Sequence, residues 1–481
     1  MSKHLDFNRD KDIARDFLPN FADANGEPKY MKTLFYDKRG SSSLADRISL
    51  LPDDILVSIL SFLTVEEAAA TSILSTRWHQ LWKSVSRLDF YGTKAKAKFY
   101  LPYGQVQVER PKYVEWVTQV LRLNKCFALD ELRICFSLDK EFSQAIDKWI
   151  DVAIMKRVAK LELNLSSLRG HNVRFPHKRY TFPSRLLLPC TLDRRGVLPF
   201  KFLETLCLSS VDVTGDDLHY FLNHCPVLER LSVHGSASLG SLHVVGFTIP
   251  LKYLEINTCL NVKAIEICNT NLISFSYFGP KIKLLVVNVP HLVELSYKGG
   301  VAECLHDFLN QVSCYLPQLR ALTWSFAAPL MRILEFGAYP KLVKLNELVL
   351  NIFIGRDESL LGYVSLIEAC PHLERFVLKL QWETHPTING GEARSSVKCS
   401  HKYLKVVEMA GYFGGKSNFE LAMYFIENVV ALDKVVIDPR CQYSHLIRSP
   451  ESTKCKELAG RSRAYRQFQG KVPMGVELVL L

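Results

Sequence analysis

Ile55, Leu56, Ile59, Leu60 and Leu63 fall at helical spacing and make one wide apolar stripe just after Leu51 and Pro52. Pro52, Asp53 and Asp54 suit the first turn of a helix there, the acids through its dipole. Thr64 and Glu67 stand three apart as a capping box for a second helix, with Leu63 placed as a staple. Ser75 can cap a third, which sets Trp78, Leu81, Trp82 and Val85 on one face. Three short helices in about 40 residues are at or below the size that folds alone. Each stripe residue gains roughly 1.5–3 kcal/mol on full burial. The pattern therefore predicts a helical ridge that something else must cover.

Beyond Lys112 the pattern changes to strands with apolar residues at positions one, four and six. Such triplets start at 129, 158, 203, 228, 251, 262, 272, 282, 292, 319, 345, 373, 404 and 432. Most starts are 23 to 31 residues apart, in or near the range of leucine-rich repeats. Cys225-Pro226-Val227-Leu228-Glu229-Arg230 returns as Cys370-Pro371-His372-Leu373-Glu374-Arg375, each after a helix-like stretch. The unit reads helix, Pro-containing turn, strand, and stacking such units buries a core that one unit cannot. Between 251 and 292 the starts close up to 10 or 11 residues, which leaves no room for helices. Extended segments on both faces of the coil are expected there. The wider gap holding RGHNVRFPHKRYTFPSRLLLPCTLDRR predicts a degraded repeat or an inserted loop.

Composition adds limits. Apolar content of 48% and charged content of 23% are those of a globular protein, and no apolar run nears a membrane span. The first 30 residues mix acids and bases without an apolar core, so no secretory signal is expected. The 13 cysteines are scattered, odd in number and without a CxxC pair. Reduced, mostly buried thiols in the cytoplasm or nucleus are the expectation. Net charge is +11, densest from Arg440 to Lys471, where a solvated face is preferred over a nucleic-acid site.

Candidate chemistry is sparse. Ala410-Gly411-Tyr412-Phe413-Gly414-Gly415-Lys416-Ser417 sits between a predicted strand and helix, where a phosphate-cradling loop would sit. Its first glycine position is alanine, so a glycine-rich connection with Lys416 in solvent is preferred. His219, His224 and Cys225 are close in sequence, but on a helix ending at a turn His219 and His224 point to different faces. Tyr277, Tyr297 and Trp324 occupy inward repeat positions and are expected in the core. No catalytic residue, cofactor or metal is expected.

Leu51-Pro52, the Ile55-Leu56 and Ile59-Leu60 pairs, and Leu74-Ser75-Thr76-Arg77-Trp78 with Leu81-Trp82 resemble the F-box in its plant form. Phe419-Glu420-Leu421-Ala422, Phe425-Ile426-Glu427-Asn428, Leu432 to Ile437 and the final Gly475-Val476-Glu477-Leu478 resemble the FBD module. The resemblance is to plant F-box proteins with leucine-rich repeats and a C-terminal FBD. It implies a flexible segment 1–44, an F-box 45–90, a connector 91–112, a leucine-rich-repeat solenoid 113–395 and an α/β FBD cap 396–481. It implies, too, a non-catalytic, substrate-recognition subunit of a cullin-type ubiquitin ligase. Leu51, Pro52, Ile55, Leu56, Ile59, Leu60, Leu63, Leu74, Trp78, Leu81 and Trp82 would serve docking to a Skp-type adaptor. Leu51, Pro52, Ile55, Ile59, Leu60 and Leu63 would be set against it, with Trp78 and Trp82 holding the helices together; the pattern alone does not apportion the stripe between the two roles. The solenoid would hold an unknown protein target. Rival readings are an interaction scaffold outside any ligase and a small-molecule receptor like the auxin-sensing relatives.

Overall fold

A computed structural model describes residues 48, 50–91, 103–166, 179–187, 199–299, 308–309, 317–325, 339–354, 360–382, 401–440 and 450–481. The expected lead-in 1–44 lies outside these, as do 167–178 and 188–198 of the expected insertion. The molecule comprises two compact units, one up to Asp212 and one from Val213.

The first unit begins with α1 (Asp53–Leu60), α2 (Val65–Ala70) and α3 (Thr76–Leu81). Strand β1 (Arg87–Asp89) comes soon after and pairs in parallel with β2 (Glu131–Cys135). Between them runs α4 (Tyr103–Leu123), which starts inside the span read as a connector. Its apolar face, Tyr113, Trp116, Val117, Val120 and Leu121, is buried at i, i+3, i+4 spacing. Phe90 meets Trp116 edge-on at 5.1 Å, and Tyr113 stacks on Phe136 at 4.4 Å. Arg110, buried on the same helix, donates to Ser137 O at 2.7 Å and to Asp139 at 2.9 Å. Helix α5 (Ser143–Met155) and β3 (Lys160–Asn164) come next. Short β4 (Tyr180–Thr181) pairs with β6 (Val211–Asp212), while β5 (Thr205–Ser209) joins β3 in the ladder.

The second unit opens with α6 (Gly215–His224), whose Thr214 and Asp217 form a reciprocal capping box. Its main parallel ladder runs β7 (Arg230–His234), β9 (Tyr253–Asn257), β11 (Ser274–Phe278), β13 (Glu294–Lys298), β14 (Ala321–Ser325), β15 (Glu347–Ile354) and β16 (Arg375–Trp382). It ends with β17 (Val406–Ala410), β18 (Lys434–Asp438) and β19 (Glu477–Leu480). Helix α7 (Val364–Glu368) precedes β16; α8 (Lys416–Asn428) and α9 (Pro450–Phe468) fall between the last strands. A second parallel sheet is made by β8 (Ser241–Val245), β10 (Ala264–Cys268) and β12 (Lys283–Val287), which alternate in sequence with ladder strands. The shortened repeat spacing thus puts extended segments on two sheets, as expected.

Every triplet except one points inward. Ile282-Leu285-Val287 needs correction: Leu285 and Val287 face outward, and Leu284 and Val286 stand beside Ile265 and Ile267. Four consecutive apolar residues from Leu284 to Val287 hide the phase in the sequence, and a one-residue slip flips every side chain. A buried residue also recurs three places before the triplet, as Cys225, Cys259, Val289, Leu342 and Cys370. Its carbonyl accepts from the first triplet residue in each case, for example from Leu228 N at 3.2 Å and Leu373 N at 3.1 Å. The repeated Cys-Pro words are this turn, with the thiol filling core space. Tyr277, Tyr297 and Trp324 are buried in one stack, with Tyr297 to Trp324 ring centroids 5.2 Å apart.

Burial pushes the thiols of Cys135, Cys225 and Cys370 up to about 12, so their thiolates are scarce at neutral pH. In mass-spectrometric mapping after maleimide labelling at pH 8, these three should stay unlabelled in the folded chain while exposed Cys455 reacts. Labelling of Cys225 at the rate of Cys455 would contradict this packing. Thr258 closes β9 at φ +53°, a left-handed conformation that Asn269 and Asn288 take at the matching turns of the other sheet. Thr258→Asn should raise stability by about 1 kcal/mol, read as a higher urea midpoint.

Candidate functional site

The three helices near the amino end sort the apolar stripe into two sets. Pro52 ends the preceding turn with φ −56° and ψ 153°, and Leu56 N bonds back to its carbonyl at 3.1 Å. Thr64 and Glu67 cap α2 reciprocally; Ser75 Oγ accepts from Trp78 N at 3.3 Å. Arg77 crosses from α3 to the start of α1, donating to Leu51 O and, at 2.7 Å, to Asp53 Oδ1. These bonds fix the rotation of α1 and α3, and rotation decides which residues go inside.

Leu56 and Leu60 are 0% and 1% exposed, packed with Trp78, Leu81, Trp82 and Val85. Ile55 and Ile59, one residue earlier in each pair, are 44% exposed. Pro52 and Leu74 are exposed with them, and Leu51 and Leu63 are half-buried. So Leu56, Leu60, Trp78, Leu81 and Trp82 form the internal support, which corrects the expectation that Leu60 faces outward, and Leu51, Pro52, Ile55, Ile59, Leu63 and Leu74 lie at the surface. The sequence pattern does not reveal four further exposed apolar residues, Ile48, Leu50, Phe62 and Ile73. Phe62, 81% exposed at the end of α1, is the most conspicuous. A large aromatic in water has no role in a closed bundle.

The three helices are joined firmly to α4 and β2. Lys125 N bonds to Lys83 O at 2.7 Å, Asn124 Nδ2 to Val85 O at 2.9 Å, and Asp130 N to Ser86 O at 2.9 Å. Arg87 pairs with Glu131 at 2.7 Å across β1 and β2. Val85, Leu88 and Phe90 have the same one-four-six spacing as the repeats and are buried, so the signal for β1 was present in the sequence.

In the second unit, the outward side of the ladder from β7 to β13 carries a fixed polar group. Glu255 accepts from Ser232 Oγ at 3.2 Å and Asn257 Nδ2 at 2.6 Å, with His234 Nε2 at 3.4 Å. The His234 hydrogen bond holds its carboxyl below the usual range, against the opposing effect of burial. Arg230 lies 3.6 Å from the Tyr253 ring centroid, and Lys298 Nζ 4.2 Å from that of Phe278. This face presents charge and aromatic surface together.

The glycine-rich segment 410–417 does not form an open cradle. Ser417 and Asn418 are buried, Arg463 donates to Phe413 O at 3.1 Å, and Gln467 donates to Gly414 O at 3.2 Å. Side chains of α9 thus occupy the crest of the loop, and Lys416 is at the surface. His224 stacks on Tyr220 and Cys225 is buried, so His219, His224 and Cys225 do not converge. Among the described residues, no helix is long and apolar enough to cross a membrane.

Comparison with known proteins agrees with this arrangement. The F-box domain family model matches residues 48–90, and the model described as At1g61320/AtMIF1, LRR domain, matches 124–480. F-box/LRR-repeat protein At3g26922 of Arabidopsis thaliana is 33% identical over 270 residues, 53% of this chain and 83% of the relative. Putative FBD-associated F-box protein At5g56440 of the same plant is 27% identical over 82% of this chain and 92% of its own length. F-box/FBD/LRR-repeat protein At5g22660, also from Arabidopsis thaliana, is 26% identical over 82% of this chain and 90% of its own length. With an F-box match at the helical ridge and a repeat-domain match over most of the chain, this protein belongs to the plant F-box/FBD/LRR-repeat family.

Proposed function

We propose that this chain is a substrate-recognition subunit of a Skp–cullin–F-box ubiquitin ligase. The observation that carries the reading is the exposed apolar set Leu50, Pro52, Ile55, Ile59, Phe62 and Leu74, left at the surface by a bundle that buries Leu56, Leu60, Trp78, Leu81 and Trp82. A Skp-type adaptor is the partner that the F-box family implies for such a set. Leu56, Leu60, Trp78, Leu81 and Trp82 act from beneath, holding the helices in shape. The ladder then holds a protein target, with the outward residues around Glu255 as a first contact region. The segment from 396 onward serves as the terminal cap of the repeats. The chain performs no bond chemistry itself; it sets the distance between target and the enzyme that transfers ubiquitin.

Continuity of α3 into β1 supports a rigid presentation, because a recognition subunit works by position rather than by catalysis. The test is co-expression with a purified Skp-type adaptor followed by size-exclusion chromatography. A stoichiometric complex, which then joins a cullin, is expected. A chain that stays separate from several such adaptors while remaining folded would leave a scaffold outside the ligase as the better account.

A further inference from the structure

From Lys454 onward, the face of α9 turned to solvent is charged in one sense only. Lys454, Leu458, Arg461 and Tyr465 repeat at i, i+4, i+7 and i+11, and Ser462, Arg466 and Gln469 lie beside them. All seven are exposed, whereas Gly460, Ala464 and Phe468 turn inward against Tyr412, Phe413 and Phe419. From Lys454 onward no acid falls within that sector; Glu457 stands at its edge, half-buried, and Glu451 belongs to the first turn of the helix. Lys471 extends the positive charge beyond the helix end. Two large apolar side chains, Leu458 and Tyr465, stand between the cations at 65% and 61% exposure. Helix α9 therefore shows water a mixed surface that a solvated face does not need: a purely charged face would keep these positions polar.

From these residues we infer that the outer face of α9 is a docking surface for an acidic peptide segment of another protein, one that places apolar side chains between its carboxylates. Charge complementarity sets the sign of the partner. Leu458 and Tyr465 set its kind. A nucleic-acid backbone would gain from Lys454, Arg461 and Arg466 but would leave Leu458 in contact with phosphate and sugar. An anionic membrane surface calls for a broad apolar face, and here two residues supply it. Lys454 to Arg466 spans about 18 Å, which matches about six residues of extended chain. This surface belongs to the second unit and the helical ridge to the first, and its partner need not be the adaptor.

The experiment uses the full chain and a fluorescein-labelled peptide of about twelve residues, long enough for that span, with glutamates flanking leucines and a phenylalanine. Fluorescence anisotropy should show saturable binding that weakens as salt rises from about 50 to about 300 mM. Arg461→Glu combined with Arg466→Glu should weaken it at least about tenfold, since two attractive contacts become repulsive. Leu458→Ser should weaken it about fivefold at unchanged charge, and an all-glutamate peptide should bind less well than the mixed one. Circular dichroism and retained adaptor binding establish that the variants are folded. Equal competition by single-stranded DNA of matched charge, or by anionic vesicles, would overturn the assignment. So would unchanged affinity in the double charge reversal, or no binding of the peptide at millimolar concentration.

Discussion

Ile59→Asp should abolish capture of a Skp-type adaptor and leave the chain folded. The residue lies at the surface, so a carboxylate there is hydrated in the free protein and costs no more than about 1 kcal/mol, mainly helix propensity. In a complex the same carboxylate would be pressed against apolar surface without a partner, losing about 3 kcal/mol or more, which is at least two orders of magnitude in Kd. Ile55→Asp, one turn earlier on the same face, should act alike. Leu60→Ala is the informative contrast. Leu60 is 1% exposed, and truncating it should cost about 2–5 kcal/mol of stability through the cavity left beneath the helices. Its capture defect should therefore track unfolding of the bundle, seen in the fluorescence of buried Trp78 and Trp82, whereas that of Ile59→Asp should not. The measurement is adaptor pull-down set beside a urea titration of each variant. Full capture by folded Ile59→Asp would remove this face from the interface.

That contrast is one the sequence could not supply. The stripe from Ile55 to Leu63 is wide enough on a helical projection to serve two neighbours, and nothing in its own pattern divides Ile55 from Leu56 or Ile59 from Leu60. The division comes from α3: Ser75 and Arg77 set its start and rotation, and Trp78 and Leu81 then take one side of α1. The strands were easier. A parallel ladder repeats the same inward position in every turn of the coil, so a weak triplet becomes convincing by recurrence. It failed where recurrence met a uniform apolar run, at Leu284 to Val287. Leu239-Leu242-Val244 of β8 has the proper spacing and is buried, yet it lies in a stretch of glycine, serine and histidine that reads as a loop. Strand β1 is hidden because Val85 also fits the helical face of Trp78, Leu81 and Trp82. The chain is already extended there, at φ −66° and ψ 139°, after a 3-10 turn over Trp82–Ser84.

Glycine-rich sequence in the second unit serves packing, and Gly411 is the clearest case. It comes directly after β17 at φ +75°, and a methyl group there would come within 2.2 Å of the Leu380 carbonyl oxygen. The residue is glycine because one strand's backbone passes against the next, not because a phosphate must approach. Gly411→Ala should cost about 3 kcal/mol: about 1–2 for the left-handed conformation and about 1–3 for the overlap, partly relieved by movement of the strand. Backbone meets backbone here, so no side-chain rotation can absorb the change. The loss should appear as a lower urea midpoint together with faster hydrogen exchange at Tyr412 N, whose bond to Asp438 O at 3.0 Å continues the ladder. Since the residues proposed to face an adaptor belong to the first unit, adaptor capture below the unfolding midpoint should be unaffected. A Gly411→Ala protein as stable as the parent would mean that the approach of β17 to Leu380 is looser than 2.2 Å implies, and that the glycine serves something other than packing.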